Sequence, residues 1–142
     1  YENDINIFKL KISMKNKIIS SLVSLIFLPI AVIGQAIGIF IGPIMASIAE
    51  TWFVASFVVA FIPYLLGGYL GGYFSALAVS KIYKGYHFFS AMIVPSLAII
   101  LALLGNIMVP IIDNNNIDIY STISNAVLIT SYYYFLKNKN FN

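Results

Sequence analysis

From Ile18 to Ser80 the chain carries one charged side chain, Glu50, and from Phe88 to Ile112 it carries none. Soluble proteins bury apolar helical stretches of about 10–14 residues, not runs of this length. The solvent of these segments is therefore lipid. Composition agrees: of 142 residues, 61% are apolar and 9% charged, too few ionisable groups to coat a globule of that size.

Only a helix or a closed barrel satisfies its backbone in lipid, and no segment alternates apolar with polar residues as a barrel strand does. The expected fold class is therefore an all-α, polytopic integral membrane protein, a small bundle of four transmembrane helices. A crossing takes roughly 20 residues. The expected spans are 18–42, 52–80, 88–112 and 117–136, within a bundle covering 18–136. Segments 1–17 and 137–142 flank it on the cytoplasmic side.

Lysine placement chooses four spans over five. All eight basic residues are lysines: Lys9, Lys11, Lys15 and Lys17 before the first span, Lys81 and Lys84 after the second, Lys137 and Lys139 after the last. Splitting 18–80 into two crossings puts every lysine on one face and Glu50, Asp113 and Asp118 on the other, as the positive-inside rule prefers. Both termini are then cytoplasmic. Gly42-Pro43 offers a stop before Glu50, which would cost on the order of 3 kcal/mol near the membrane centre. Trp52 and Tyr120 fall at the outer boundary, and Tyr83, Tyr86, Tyr132, Tyr133 and Tyr134 at the inner one, where aromatic belts lie. Met14-Lys15-Asn16-Lys17 resembles a natural start. A signal peptide cut after Gly34-Gln35-Ala36 is disfavoured because the apolar run continues past it.

Two helices carry small residues at four-residue spacing. Gly34, Gly38 and Gly42 form a glycine-zipper row on the first span, extended by Ala46. Gly67, Gly68, Gly71 and Gly72 form two adjacent rows on the second, one continued by Ala60, Ala76 and Ser80. In lipid no hydrophobic force joins helices, so close backbone approach across small residues supplies the packing. These rows are the candidate seam, either between spans one and two or between copies of the chain. Pro29 and Pro63 each precede a glycine row by five residues, a faint hint of an inverted repeat that chance accounts for more simply.

Gln35, Asn106 and Asn125 are the amide side chains within the spans, and the topology places all three in the outer half of the membrane. They are expected either to tie helices together or, with Glu50 at the entrance, to form an outer polar vestibule. No acid, lysine or histidine lies deep in a span, which argues against a proton-coupled carrier or ion pump.

The inventory excludes several chemistries. With no cysteine and one histidine, His87, thiolate sites, a histidine metal cluster and a conventional hydrolase triad are ruled out. Asp113-Asn114-Asn115-Asn116-Ile117-Asp118 lacks the central glycine and terminal glutamate of a calcium loop and reads as a solvated turn. No basic, aromatic-studded face is present for nucleic acid. The sequence predicts no enzyme, no metal and no cofactor. Its expected partners are the lipid bilayer and other membrane helices, and its expected place a prokaryotic inner membrane. The predicted role is a non-catalytic accessory or assembly subunit of a membrane complex. The alternative is a homo-oligomeric channel, holin-like pore or small-solute transporter with the glycine hairpin at its centre.

Overall fold

A computed structural model describes residues 2–52, 55–82, 84, 87–112 and 116–139, with side chains described for all of these except 2–12 and 139. Tyr83, Tyr86, Asp113, Asn114, Asn115, the side chains of Lys9, Lys11 and Lys139, and the tail after residue 139 lie outside the described residues. Helices α1 (Glu2–Val23) and α2 (Phe27–Thr51) are joined by a single 3-10 turn, Ser24–Ile26; α3 (Ser56–Ile82), α4 (Phe88–Ile112) and α5 (Ile119–Lys139) follow. Among the described residues every regular element is helical.

Three helices are long and apolar enough to cross a membrane: Ser13–Thr51, Ser56–Ile82 and Phe88–Ile112. The fourth expected span, now α5, has the length, at 21 residues. It does not reach the apolarity, because Ser121, Thr122, Ser124, Asn125, Thr130 and Ser131 are spread along it. The expected stop at Gly42-Pro43 is not where α2 ends. Pro43 sits inside the helix, which continues to Thr51. A proline removes one helical donor, and the surrounding turns carry on past it in many membrane helices.

The 3-10 turn between α1 and α2 has a local cause. Pro29 supplies no N–H to the carbonyl of Leu25, and 3-10 bonding often replaces the α pattern at such a point. The Ser20 and Ser24 hydroxyls also bond back to the carbonyls of Asn16 and Ser21, each at 2.6 Å, a habit that bends helices. Pro29 is exposed here, whereas Pro63 is buried in the first third of α3. The two prolines of the hinted repeat thus occupy different settings.

Helix α3 is the centre of the bundle, with α2 on one side and α5 on the other. Gly34 meets Gly67 and Gly71 while Gly42 meets Ala60, so α2 and α3 are antiparallel. Tyr120 packs on Phe61 and Tyr64, and Phe135 on Tyr69 and Tyr73, so α3 and α5 run in the same direction. Helix α4 meets the others mainly near its start, against α1 and the far half of α5. The core lies at that lysine-rich end, where Phe27, Val79, Leu128, Tyr132 and Leu136 are fully buried and the rings of Phe27 and Tyr132 meet edge-on at 5.1 Å.

Elsewhere burial is inverted relative to a water-soluble bundle. Glycine, alanine and serine fill the interfaces, while Phe40, Leu101 and Ile112 are 73%, 68% and 72% exposed. Soluble monomers rarely expose contiguous apolar surface on this scale; helices packed in lipid do so by default.

Candidate functional site

The glycine rows define the closest helix contacts. A methyl group added at Gly34 would lie 2.6 Å from the carbonyl oxygen of Gly67 and 2.8 Å from the Cα of Gly71. Here two backbones touch with nothing between them. Gly38 and Gly42 do a different job: a methyl there would lie 2.6 Å and 2.7 Å from the Tyr64 ring, so these two glycines form a flat floor for an aromatic side chain.

The paired rows on α3 serve separate neighbours. Gly67 faces α2, while Gly68 faces the backbone of Ser124, whose carbonyl oxygen would be 2.5 Å from an added methyl. Gly72 lies against Ser131, Leu128 and Tyr132 of α5. The Ser131 hydroxyl reinforces that contact, within 3.0 Å of the Leu128 carbonyl and 3.4 Å of the Gly68 carbonyl. Gly71 lies between the two neighbours, with Leu128 Cδ1 at 3.3 Å and the Gly34 Cα at 3.5 Å from an added methyl.

Of the amides, Gln35 and Asn125 are brought together: Gln35 Nε2 donates to Asn125 Oδ1, linking α2 to α5. Asn125 is 2% exposed, so the bond is shielded. Its neighbour Ser124 is equally buried, but its hydroxyl has no partner. Asn106 stands outside this pair, on α4 beside the exposed Gly105, with its Nδ2 unpartnered. Glu50 is exposed at the end of α2, about 22 Å along the helix from Gln35 at 1.5 Å per residue. The four residues of the expected vestibule therefore divide into one bonded pair and two separate groups.

Two clusters escaped the sequence reading. Near the start of α5, Tyr120 stacks on Tyr64 at 5.2 Å and its hydroxyl reaches the Phe57 carbonyl at 3.3 Å. Asp118 caps this helix, accepting from the Ser121 N–H at 3.0 Å and hydroxyl at 2.6 Å. The serine three residues after an aspartate was the available sign of that cap.

At the opposite end His87 caps α4: its Nδ1 lies 3.4 Å from the Ser90 N–H nitrogen and 3.2 Å from the Ser90 hydroxyl. The His87 backbone N–H donates to Ser20 Oγ at 2.6 Å, and Ser21 Oγ donates to the Ser90 carbonyl at 3.0 Å. The lone histidine thus fastens α1 to α4. Among the described residues no three acid, histidine or cysteine side chains converge as a metal site would require. These contacts hold helices together. Comparison with known proteins found no matching family model, no matching curated protein and no matching solved structure.

Proposed function

We propose that the chain is a small non-catalytic subunit of a membrane complex, crossing the membrane four times with both termini on the cytoplasmic side. The observation that carries this reading is the state of α4. Only 11% of its most apolar stretch is buried, and a methyl at Gly105 would meet nothing within 4 Å. A bare small residue on an exposed helix face is what helix association in lipid uses.

Support for the fourth span comes from packing. Helix α5 lies along α3 in the same direction, which supports a common depth, and its polar residues Ser124, Asn125 and Ser131 are turned into the bundle. Lys15, Lys17, Lys81, Lys84 and Lys137 then gather at one end, and Glu50 and Asp118 at the other. A prokaryotic inner membrane fits that arrangement. The pore reading is weakened because the glycine rows are occupied within one chain and Gln35 is bonded to Asn125.

Purification in mild detergent with mass measurement tests the proposal. The expected result is a fixed ratio of foreign membrane subunits, lost in a Gly105→Trp variant that still folds. A lone symmetric oligomer of this chain, unaffected by Gly105→Trp, would overturn it.

A further inference from the structure

Between α3 and α5 runs an open apolar groove of about 480 Å³, walled by Tyr69 on one side and by Ala126, Val127, Thr130, Tyr134 and Phe135 on the other. The groove also touches two small hydroxyl side chains, and both are already engaged inside α5. Thr130 donates to the Ala126 carbonyl at 2.7 Å and Ser131 to the Leu128 carbonyl at 3.0 Å. What these residues present to a guest is methyl, methylene and ring carbon.

Length and charge identify the guest. The lining residues of α5 run from Ile123 to Phe135, about 18 Å at 1.5 Å per residue. That is a little over half of a hydrocarbon core roughly 30 Å thick, about the depth of one leaflet. The groove descends toward the lysine end. Lys137 lies seven residues beyond Thr130, two turns along nearly the same face, and is exposed, with its Nζ 3.5 Å from the Tyr133 hydroxyl. Lys81, in the last turn of the parallel α3, is at the same end.

We infer that this groove holds one acyl chain of an anionic phospholipid whose phosphate pairs with Lys137. The inference rests on α5 crossing the membrane, as proposed above. A chain one leaflet long fills the apolar walls, and a cation at the surface end of the groove selects a negative headgroup over a zwitterionic one.

Native mass spectrometry of the full chain in mild detergent, with added phosphatidylglycerol or phosphatidylcholine of identical chains, reads the site directly. One phosphatidylglycerol per chain should be retained in preference to phosphatidylcholine. Lys137→Gln should cut that preference about fivefold, the worth of one lysine near an anionic headgroup. Ala126→Trp, which fills the groove from an exposed position, should remove both lipids. Equal retention of the two lipids by the unaltered chain, retention by Ala126→Trp, or a second copy of the chain in place of lipid would each overturn the inference. Because the chain has no cysteine, Ala126→Cys in vesicles separates the two levels of failure. Labelling by a water-soluble maleimide would overturn the fourth span and the lipid site together. Protection without lipid preference would overturn the lipid site alone.

Discussion

The Tyr132 hydroxyl donates to the backbone carbonyl of Ala91 at 2.9 Å, and that carbonyl is the one Pro95 leaves without a helical donor. In an α-helix the N–H of residue 95 would bond the carbonyl of residue 91; proline has no N–H to give. Both Tyr132 and Pro95 are fully buried, so water cannot substitute. A side chain on α5 thus completes the backbone of α4, as lipid-embedded helices with proline require.

Tyr132→Phe should therefore cost about 1–3 kcal/mol, the penalty for leaving a buried carbonyl unpaired. Pro95→Ala restores the helical N–H, so Tyr132→Phe in that background should cost clearly less. Unfolding in a graded detergent mixture measures both. Equal costs in the two backgrounds would show that the hydroxyl is not serving the proline gap.

Glycine substitutions should separate by what each methyl meets. Gly34→Ala and Gly68→Ala push a methyl into backbone and should destabilise by about 1–3 kcal/mol or more, because backbone yields less readily than a side chain. Gly71→Ala meets the flexible tip of Leu128 at 3.3 Å and should cost less. Gly105→Ala meets nothing and should stabilise the isolated chain by roughly 0.5–1 kcal/mol through helix propensity. A thermal-stability series in one detergent orders the four. Gly105→Ala as damaging as Gly34→Ala would contradict the geometry.

Much of this architecture is legible in the residues, and the rest fails for definable reasons. The bounds expected for the third span, 88–112, coincide with those of α4, since charge and His87 mark one end and the charge of Asp113 the other. Depth is readable because residue count measures rise along a helix. Rotation about the axis is less so, which is why Asn106, placed at a similar depth to Asn125, stands apart from the Gln35–Asn125 pair. The two rows on α3 were visible, but which neighbour each one faces depends on three helices packing at once. The helical course through Pro43 was hidden because proline is a stop signal calibrated on helices in water.

The cap at His87 gives a prediction at the opposite end of the chain's polarity scale. His87→Ala removes the acceptor for the Ser90 N–H and should cost about 0.5–2 kcal/mol, the usual range for losing an N-cap. His87→Asn keeps a short acceptor at the cap and should recover most of that. Ser20→Ala should weaken the α1–α4 join separately, since it deletes the acceptor for the His87 N–H. Limited proteolysis after Lys84 reports opening of this junction, with His87→Ala cut faster and His87→Asn close to the parent. Equal cutting of all three would place the stability of that junction elsewhere.

Adjacent positions on α5 should respond in opposite senses. Asn125→Ala leaves the Gln35 amide without its partner and should destabilise, with a Gln35–Asn125 coupling of about 0.6–2 kcal/mol in a double-mutant cycle. Ser124→Ala removes a buried hydroxyl that has no hydrogen bond to lose, so it should be neutral or stabilising by up to about 1 kcal/mol. Both side chains are about equally buried and one residue apart, so burial alone predicts no difference between them. The sign of the difference therefore isolates hydrogen bonding from packing. If Ser124→Ala destabilised as much as Asn125→Ala, packing rather than hydrogen bonding would set the stability of this contact.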